Sequence, residues 1–338
     1  AKAYIIYRNE RAKARDFKYN KEFYTTVLEL LNGKKNDVSK ENANKDPRQF
    51  FTMRDLVAGE TCKKLYKDFI MDKKLLKLHN KGVVHVHDLD YRAMKAMTNC
   101  CLLNLKDMLE NGTCIQGKLI HDIHSLQVAV TVTTQIIAAV GSSQYGGITI
   151  NMSHLSPFVA KSKEKYEKIF STLNDKDEWV EKFLRKEIVD SMQTFQYQLN
   201  SLTTTNGQSP FITVACNTND VDDEYKDYTA LLIEEFLKQR IKGMEGPNGN
   251  NINPSFPKIV YILAENNMEK DSKYYYLTDL AAECTSKRMV PDYMSEKLSR
   301  EYKDGRVIPC MGCRSLLGAW KDENGNYKEW GRFNIGVM

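Results

Sequence analysis

Two runs of apolar, β-branched residues stand in the second half of the chain, Phe211-Ile212-Thr213-Val214-Ala215-Cys216 and Lys258-Ile259-Val260-Tyr261-Ile262-Leu263. Each is followed by a segment of helical periodicity, Glu224 to Lys242 and Tyr274 to Lys287. A strand that reaches the next strand through a helix runs parallel to it, because a tight hairpin can only join antiparallel strands. The alternation therefore predicts an α/β fold, a mostly parallel sheet with helices outside.

Upstream the pattern is more mixed. Residues 3–11 read as the end of a helix, residues 33–48 as a polar, turn-rich connection, and Met53 to Asn80 as a helical hairpin. Its core candidates are Leu56, Tyr66, Phe69, Leu75, Leu76 and Leu78, and Gly82 follows its end. The β-branched content of Val83-Val84-His85-Val86-His87-Asp88-Leu89-Asp90-Tyr91 predicts a strand with His85 and His87 on one face, as metal ligands or as hydrogen-bonded supports for a site downstream. Adjacent Cys100 and Cys101 would face opposite ways on a strand, one into the core and one into a cavity. His124 to Ala139 reads as a packed helix, and Gly141 to Gly147 as a loop able to approach a phosphate or a base. Residues 158–200 form one long or two consecutive helices with Tyr166, Ile169, Phe170, Leu173, Trp179, Phe183, Leu184 and Ile188 as the buried stripe. The loop from Gly246 to Pro254 suits a ligand-facing role.

Composition excludes several classes. At 338 residues the chain can form one large domain or two ordinary ones with a sizeable core. No run of eighteen apolar residues and no N-terminal signal pattern is present, so no membrane association is expected and the expected location is cytoplasmic. The net charge of +5 comes from lysines interspersed with acids, which predicts no nucleic-acid groove but allows polyphosphate ligands. Eight irregularly spaced cysteines do not form a disulfide framework; most should be buried thiols, with two or three carrying chemistry.

Val307-Ile308-Pro309-Cys310-Met311-Gly312-Cys313-Arg314-Ser315 is the densest motif. Proline and glycine here favour a shaped loop over a helix or a central strand. Half a zinc knuckle, a redox dithiol and a single reactive Cys313 all fit the spacing. No second Cys-x-x-Cys pair accompanies it for zinc, and no strand-then-helix setting of thioredoxin type surrounds it.

Taken with Asn99-Cys100, Ser143-Gln144-Tyr145-Gly146-Gly147, Arg288-Met289-Val290-Pro291-Asp292 and Gly331-Arg332-Phe333-Asn334, this motif resembles the anaerobic, class III ribonucleoside-triphosphate reductases, in the large glycyl-radical subunit. The resemblance implies the first half of a ten-stranded α/β barrel with a finger loop and long peripheral helices. It implies that Cys313 becomes a thiyl radical that removes the 3′ hydrogen of the ribose, and that Cys100 donates hydrogen as the 2′ hydroxyl leaves. Cys101 stays open as the alternative reducing thiol. Asn334 falls near the ribose hydroxyls in members that use formate, so formate is the implied reductant. The resemblance further implies that Asn99, Met311 and Ser315 support the substrate pocket and, as a looser carry-over, that Gln144 and Tyr145 lie near the effector site.

The same resemblance implies ribonucleoside triphosphates as substrates, dNTP and ATP effectors, a radical-SAM activase and a homodimer. The expected division is 1–20 as a remnant following an ATP-cone, 21–306 as the half-barrel with dimerising helices, and 307–338 as the finger loop. The glycyl radical and the family's four-cysteine zinc site are expected in a C-terminal half or second polypeptide, not within these 338 residues, and no metal site is expected here. On this reading the chain alone is inactive, a reductase awaiting its other half or a non-catalytic nucleotide-binding fragment.

Overall fold

The computed structural model of the chain describes residues 2–32, 49–94, 100–143, 146–205, 207–312, 320–321 and 324–329. Its backbone divides into two compact units, one built on Ala1–Met97 and Thr205–Gln208, the other on Thr98–Thr204 and Ser209–Asn334.

The first unit is helical: α1 (Lys2–Leu31), α2 (Phe50–Leu65), a π-helical turn (Tyr66–Ile70) and α3 (Lys73–Asn80). Asp72 caps α3, its carboxylate accepting from the Lys74 and Leu75 amides at 2.9 and 3.1 Å. A small core of Met71, Val86 and Leu89 gathers Tyr66, Leu75 and Leu76. Phe69, expected in the core, is 80% exposed, and Leu78 is exposed as well. The π turn adds a residue to the helical cycle, which rotates the side chains that follow out of phase with those before.

The strand expected at Val83–Tyr91 does not form; the segment is irregular and ends in a short helix, Leu89–Arg92. Its backbone is tied locally instead, the Val86 amide donating to His79 Nδ1 at 3.3 Å, and Asp88 takes a left-handed φ of 55° that breaks an extended run. His85 and His87 therefore share no strand face. Among the described residues no group of three or more His, Cys, Asp or Glu could hold a metal ion.

The second unit carries the predicted parallel sheet. Its five strands are β1 (Cys100–Leu102), β2 (Gly147–Asn151), β3 (Ile212–Cys216), β4 (Lys258–Leu263) and β5 (Asp292–Ser295), paired in chain order and parallel throughout. Its longer helices are α4 (Leu126–Ser143), α5 (Ser156–Ile169), α6 (Lys176–Ser201), α7 (Lys226–Lys242) and α8 (Tyr275–Arg288). Strands β2 and β5 were not anticipated, and α4 continues through Gly141 to Ser143, where a loop was expected. A side chain at Gly141 would meet Thr204 Cγ2 at 2.9 Å, so close packing accounts for this glycine. Residues 158–200 resolve into two helices, α5 and α6. Ile169, Leu173, Trp179 and Phe183 of the expected stripe are exposed, their neighbourhood an aromatic cluster at the α5–α6 corner in which Phe170 and Phe183 lie 5.0 Å apart.

Strand alternation sorts the sheet into two faces. Ile148, Ile150, Ile212, Val214, Cys216, Ile259 and Tyr261 join Leu126, Ile136, Phe158, Phe195, Phe236 and Leu277 in one core, so one face packs on the helices. Helix α4 is long and apolar enough by composition to cross a membrane, but eight of its residues are buried in this protein core. The register puts Cys100, Gly147, Thr149, Asn151, Thr213, Ala215, Lys258 and Val260 on the opposite face.

Candidate active site

The site is built on that opposite face, from residues far apart in sequence. The hydroxyl of Thr149 donates to the Cys310 carbonyl at 2.7 Å and accepts from the Gly312 amide at 2.9 Å. Thr213, its register partner on β3, donates to the Gly312 carbonyl at 2.7 Å. The Cys-Met-Gly segment is thus held to the sheet by side-chain hydroxyls, and Met311 is buried beside them.

Gly312 is necessary here for two reasons. Its φ of +66° is left-handed, and a Cβ added to it would stand 2.4 Å from the Cys100 sulfur and 3.0 Å from the Cys100 Cβ. Gly147 faces it in the same way: a Cβ there would meet the Gly312 Cα at 2.7 Å and the Cys100 sulfur at 3.4 Å. The Cys100 thiol is therefore buried directly against the backbone that leads to Cys313.

Cys101 points the other way and packs on the helix-side core, where burial pushes its thiol up to about 11. Cys216 and Cys284 are fully buried thiols also shifted up by burial, Cys284 to about 11. These three are protonated at neutral pH, which disfavours thiolate chemistry at them.

Past the carboxyl ends of the strands the surface turns polar. Asn151 and Ser153 donate to the Asp220 carboxylate, and His154 Nε2 lies 3.5 Å from it. Asn219 donates to Glu296 at 2.8 Å and accepts from Asn266 at 2.7 Å. This rim ties the ends of β2 to β5 together where open α/β sheets bind ligands.

Of the residues singled out in sequence, Cys100 lies against Gly312, and Met311 is buried one residue before that glycine. Cys313, Ser315, Asn334, Asn99, Gln144 and Tyr145 lie outside the described residues. Sequence reasoning missed Gly147, Thr149 and Thr213. The period-2 pattern Gly147-Ile148-Thr149-Ile150-Asn151 carries the signal for the first two, apolar residues alternating with small and polar ones.

Comparison with known proteins gives the family and the fold. The family model described as anaerobic ribonucleoside-triphosphate reductase matches residues 41–338. The anaerobic ribonucleoside-triphosphate reductase of Enterobacteria phage T4 is 39% identical over 322 residues, which are 91% of this chain and 51% of that protein. The Escherichia coli K12 enzyme of the same name is 36% identical over 345 residues, 100% of this chain and 47% of that protein. The chain thus spans about half the length of the relatives it matches. The anaerobic ribonucleotide reductase of Thermotoga maritima shares the fold. Its structure with MES in the active site superposes with a TM-score of 0.53 at 14% identity, covering 82% of this chain and 48% of that one. Its structure with dATP bound in the specificity site gives 0.50 at 13% identity, covering 80% and 46%.

Proposed function

Because the chain belongs to the anaerobic ribonucleoside-triphosphate reductase family, we propose that it forms the thiol-bearing half of an enzyme that reduces ribonucleoside triphosphates with formate. Five parallel strands with helices on one face suit the first half of a ten-stranded barrel, with residues 307–338 as its finger loop. The observation that carries the reading is the seat of Gly312 on the Cys100 sulfur. Cys313 follows by one peptide bond, about 3.8 Å from Cα to Cα, and the proposal requires its thiol to reach the same ribose as Cys100.

In this reading Cys313, as a thiyl, takes the hydrogen atom from C3′ and Cys100 supplies hydrogen as the 2′ hydroxyl departs as water. Formate is oxidised to carbon dioxide and provides the two electrons, so that ribonucleotide, formate and a proton become deoxynucleotide, carbon dioxide and water. A glycyl radical, which would be carried in a C-terminal half, would supply the unpaired electron, and Cys313 would be the residue of this chain that receives it. The thiols present fit such chemistry: an S–H bond exchanges hydrogen readily, and Cys100 is buried away from solvent. Asn334 and Asn99 would orient the ribose hydroxyls and formate as neutral amides, adding no charge beside an anion. Met311 and Ser315 would line the pocket.

Effector binding is proposed by analogy with the T. maritima enzyme, whose structure holds dATP in its specificity site; Gln144 and Tyr145 are the residues proposed for it here. A radical-SAM activase, a homodimer through the outer helices and a cytoplasmic location complete the proposal.

The test is anaerobic. The chain is combined with the C-terminal half of the E. coli relative, the activase, formate and CTP, and dCTP is measured with the glycyl signal by electron paramagnetic resonance. The expected result is product that disappears in Cys313→Ala and in Cys100→Ala while the glycyl signal persists. A glycyl signal without product from the unaltered chain would sink the proposal in favour of a nucleotide-binding fragment.

A further inference from the structure

Thr149 and Thr213 belong to none of the motifs, yet their side chains make three hydrogen bonds to the segment that carries the reactive loop. We infer that they are positioning residues: their hydroxyls lock the backbone of Cys310–Gly312 onto β2 and β3 and so set how far the residue after Gly312 lies from the Cys100 thiol. This inference rests on the roles proposed above for Cys313 and Cys100.

The geometry of the clamp is specific. Thr149 grips the segment on both sides of Met311, donating to the carbonyl before it and accepting from the amide after it. One hydroxyl thus fixes two peptide groups. Thr213 then binds the Gly312 carbonyl, which belongs to the peptide plane joining Gly312 to Cys313. That plane is rigid, so fixing its carbonyl direction at one end fixes where the next Cα must lie at the other. Neighbouring strands are about 4.8 Å apart, and the two threonines are register partners. The segment therefore crosses from one strand to the next with a hold at each.

Burial and side-chain type suit this task. Thr149 and Thr213 are 1% and 0% exposed, so water is not at hand to replace a lost hydroxyl. Threonine is β-branched and restricted at χ1, which points its hydroxyl more firmly than serine would. The bonds also span 161, 163 and 99 residues of sequence, so they stabilise no local turn. Neither group titrates, so the seat does not change with pH.

Thr149→Val and Thr213→Val remove the hydroxyl and keep the shape; Thr149→Ser and Thr213→Ser restore it. Three readouts separate positioning from mere stability. First, hydrogen exchange of the Gly312 amide in the unaltered chain should be at least about tenfold slower than in Thr149→Val, with Thr149→Ser close to the parent. Second, diamide, which takes up two electrons and two protons as two thiols become a disulfide, should join Cys100 to Cys313. The peptide pair, followed by mass spectrometry, should form about tenfold more slowly in either valine variant. Third, in the reconstituted enzyme the valine variants should lower kcat by about ten- to a hundredfold, with KM for CTP and the glycyl signal unchanged.

Gly312 exchange and cross-linking rates equal to the parent in both valine variants would overturn the inference, whatever the activity. Loss of the far-ultraviolet helix signal in a valine variant moves the decision to the serine pair: parent-like exchange, cross-linking and kcat there support the clamp, and failure to restore them overturns it. An inactive reconstituted parent would remove the radical reading alone, because the first two readouts judge the clamp without turnover.

Discussion

The two faces of the sheet secure buried polar groups by opposite means. On the helix side a carboxylate does it: Glu187 of α6 is 7% exposed and accepts from Lys165 Nζ at 2.9 Å, Ser162 Oγ at 2.8 Å and the Gln127 amide at 3.2 Å. Ser162 in turn accepts from the Leu126 amide at 2.8 Å, so two residues of α5 and α6 satisfy the otherwise unpaired first N–H groups of α4. On the other side Thr149, Thr213 and peptide groups seat the Cys310–Gly312 segment without any charge among them. A charge placed beside a helix end pins packing. A neutral seat beside a thiol adds no charge of its own where the proposed hydrogen-atom chemistry would take place. Changes on the first face should cost stability, and changes on the second should cost turnover.

The strongest way to separate the faces is Gly312→Ala. It forces a side chain into a left-handed backbone and into contact with the Cys100 sulfur, so the loop must move by an ångström or more. Turnover of the reconstituted enzyme should fall by at least about a hundredfold, while the thermal midpoint of the chain changes little. A variant with parent-like turnover would break the proposed seat.

Glu187→Ala tests the other face and should do the reverse. It strands the Gln127 amide and the Ser162 hydroxyl in the interior, which costs about 2–3 kcal/mol in a denaturant titration. Lys165 adds little to this, because its side chain is 41% exposed and screened. Activity per folded molecule should stay within about twofold. A loss of activity larger than the loss of folded protein would show that the faces are coupled.

The same carboxylate yields a smaller, reversible effect. Burial pushes Glu187 up, but Lys165, Tyr166, Ser162 and the Gln127 amide together hold it below its ordinary value of 4.5. A depressed carboxylate stabilises the fold fully above that ordinary value, and the contribution disappears as pH falls through the lower, folded value. Stability should therefore drop below pH 4.5 in the parent and drop less in Glu187→Gln. Identical acid profiles would remove the charge from the account of this face.

How far each face could be read from sequence follows the same division. Strands β3 and β4 were legible as long apolar runs, and α7 and α8 as periodic segments, because burial against helices writes itself into composition. The site face did not announce itself. Gly147 and Thr149 lie on a five-residue strand beginning at glycine, adjacent to a segment with loop-like composition. Thr213 lay in a recognised strand, but its partner is 99 residues away, beyond any local pattern. Val83–Tyr91 failed in the opposite sense: its β-branched residues favour a strand, and a bond to His79 with a left-handed Asp88 overrides them. Residues 307–312 were legible as irregular because proline and glycine restrict backbone directly. Their docking on Cys100 is a tertiary fact.

The finest test of the division lies in two adjacent residues. Cys100 and Cys101 have the same side chain, and strand alternation alone sends one to each face. Cys100 lies against Gly312, whereas Cys101 packs on the helix-side core with its thiol pushed up to about 11. Cys101→Ala removes one sulfur from a partly buried position and should cost about 1 kcal/mol or less, with dCTP formation within about twofold of the parent. Under identical conditions Cys100→Ala should leave the melting curve nearly unchanged and abolish product. If Cys101→Ala were the inactive variant, the register that assigns Cys100 to the site face would be wrong, and with it the seat of Gly312.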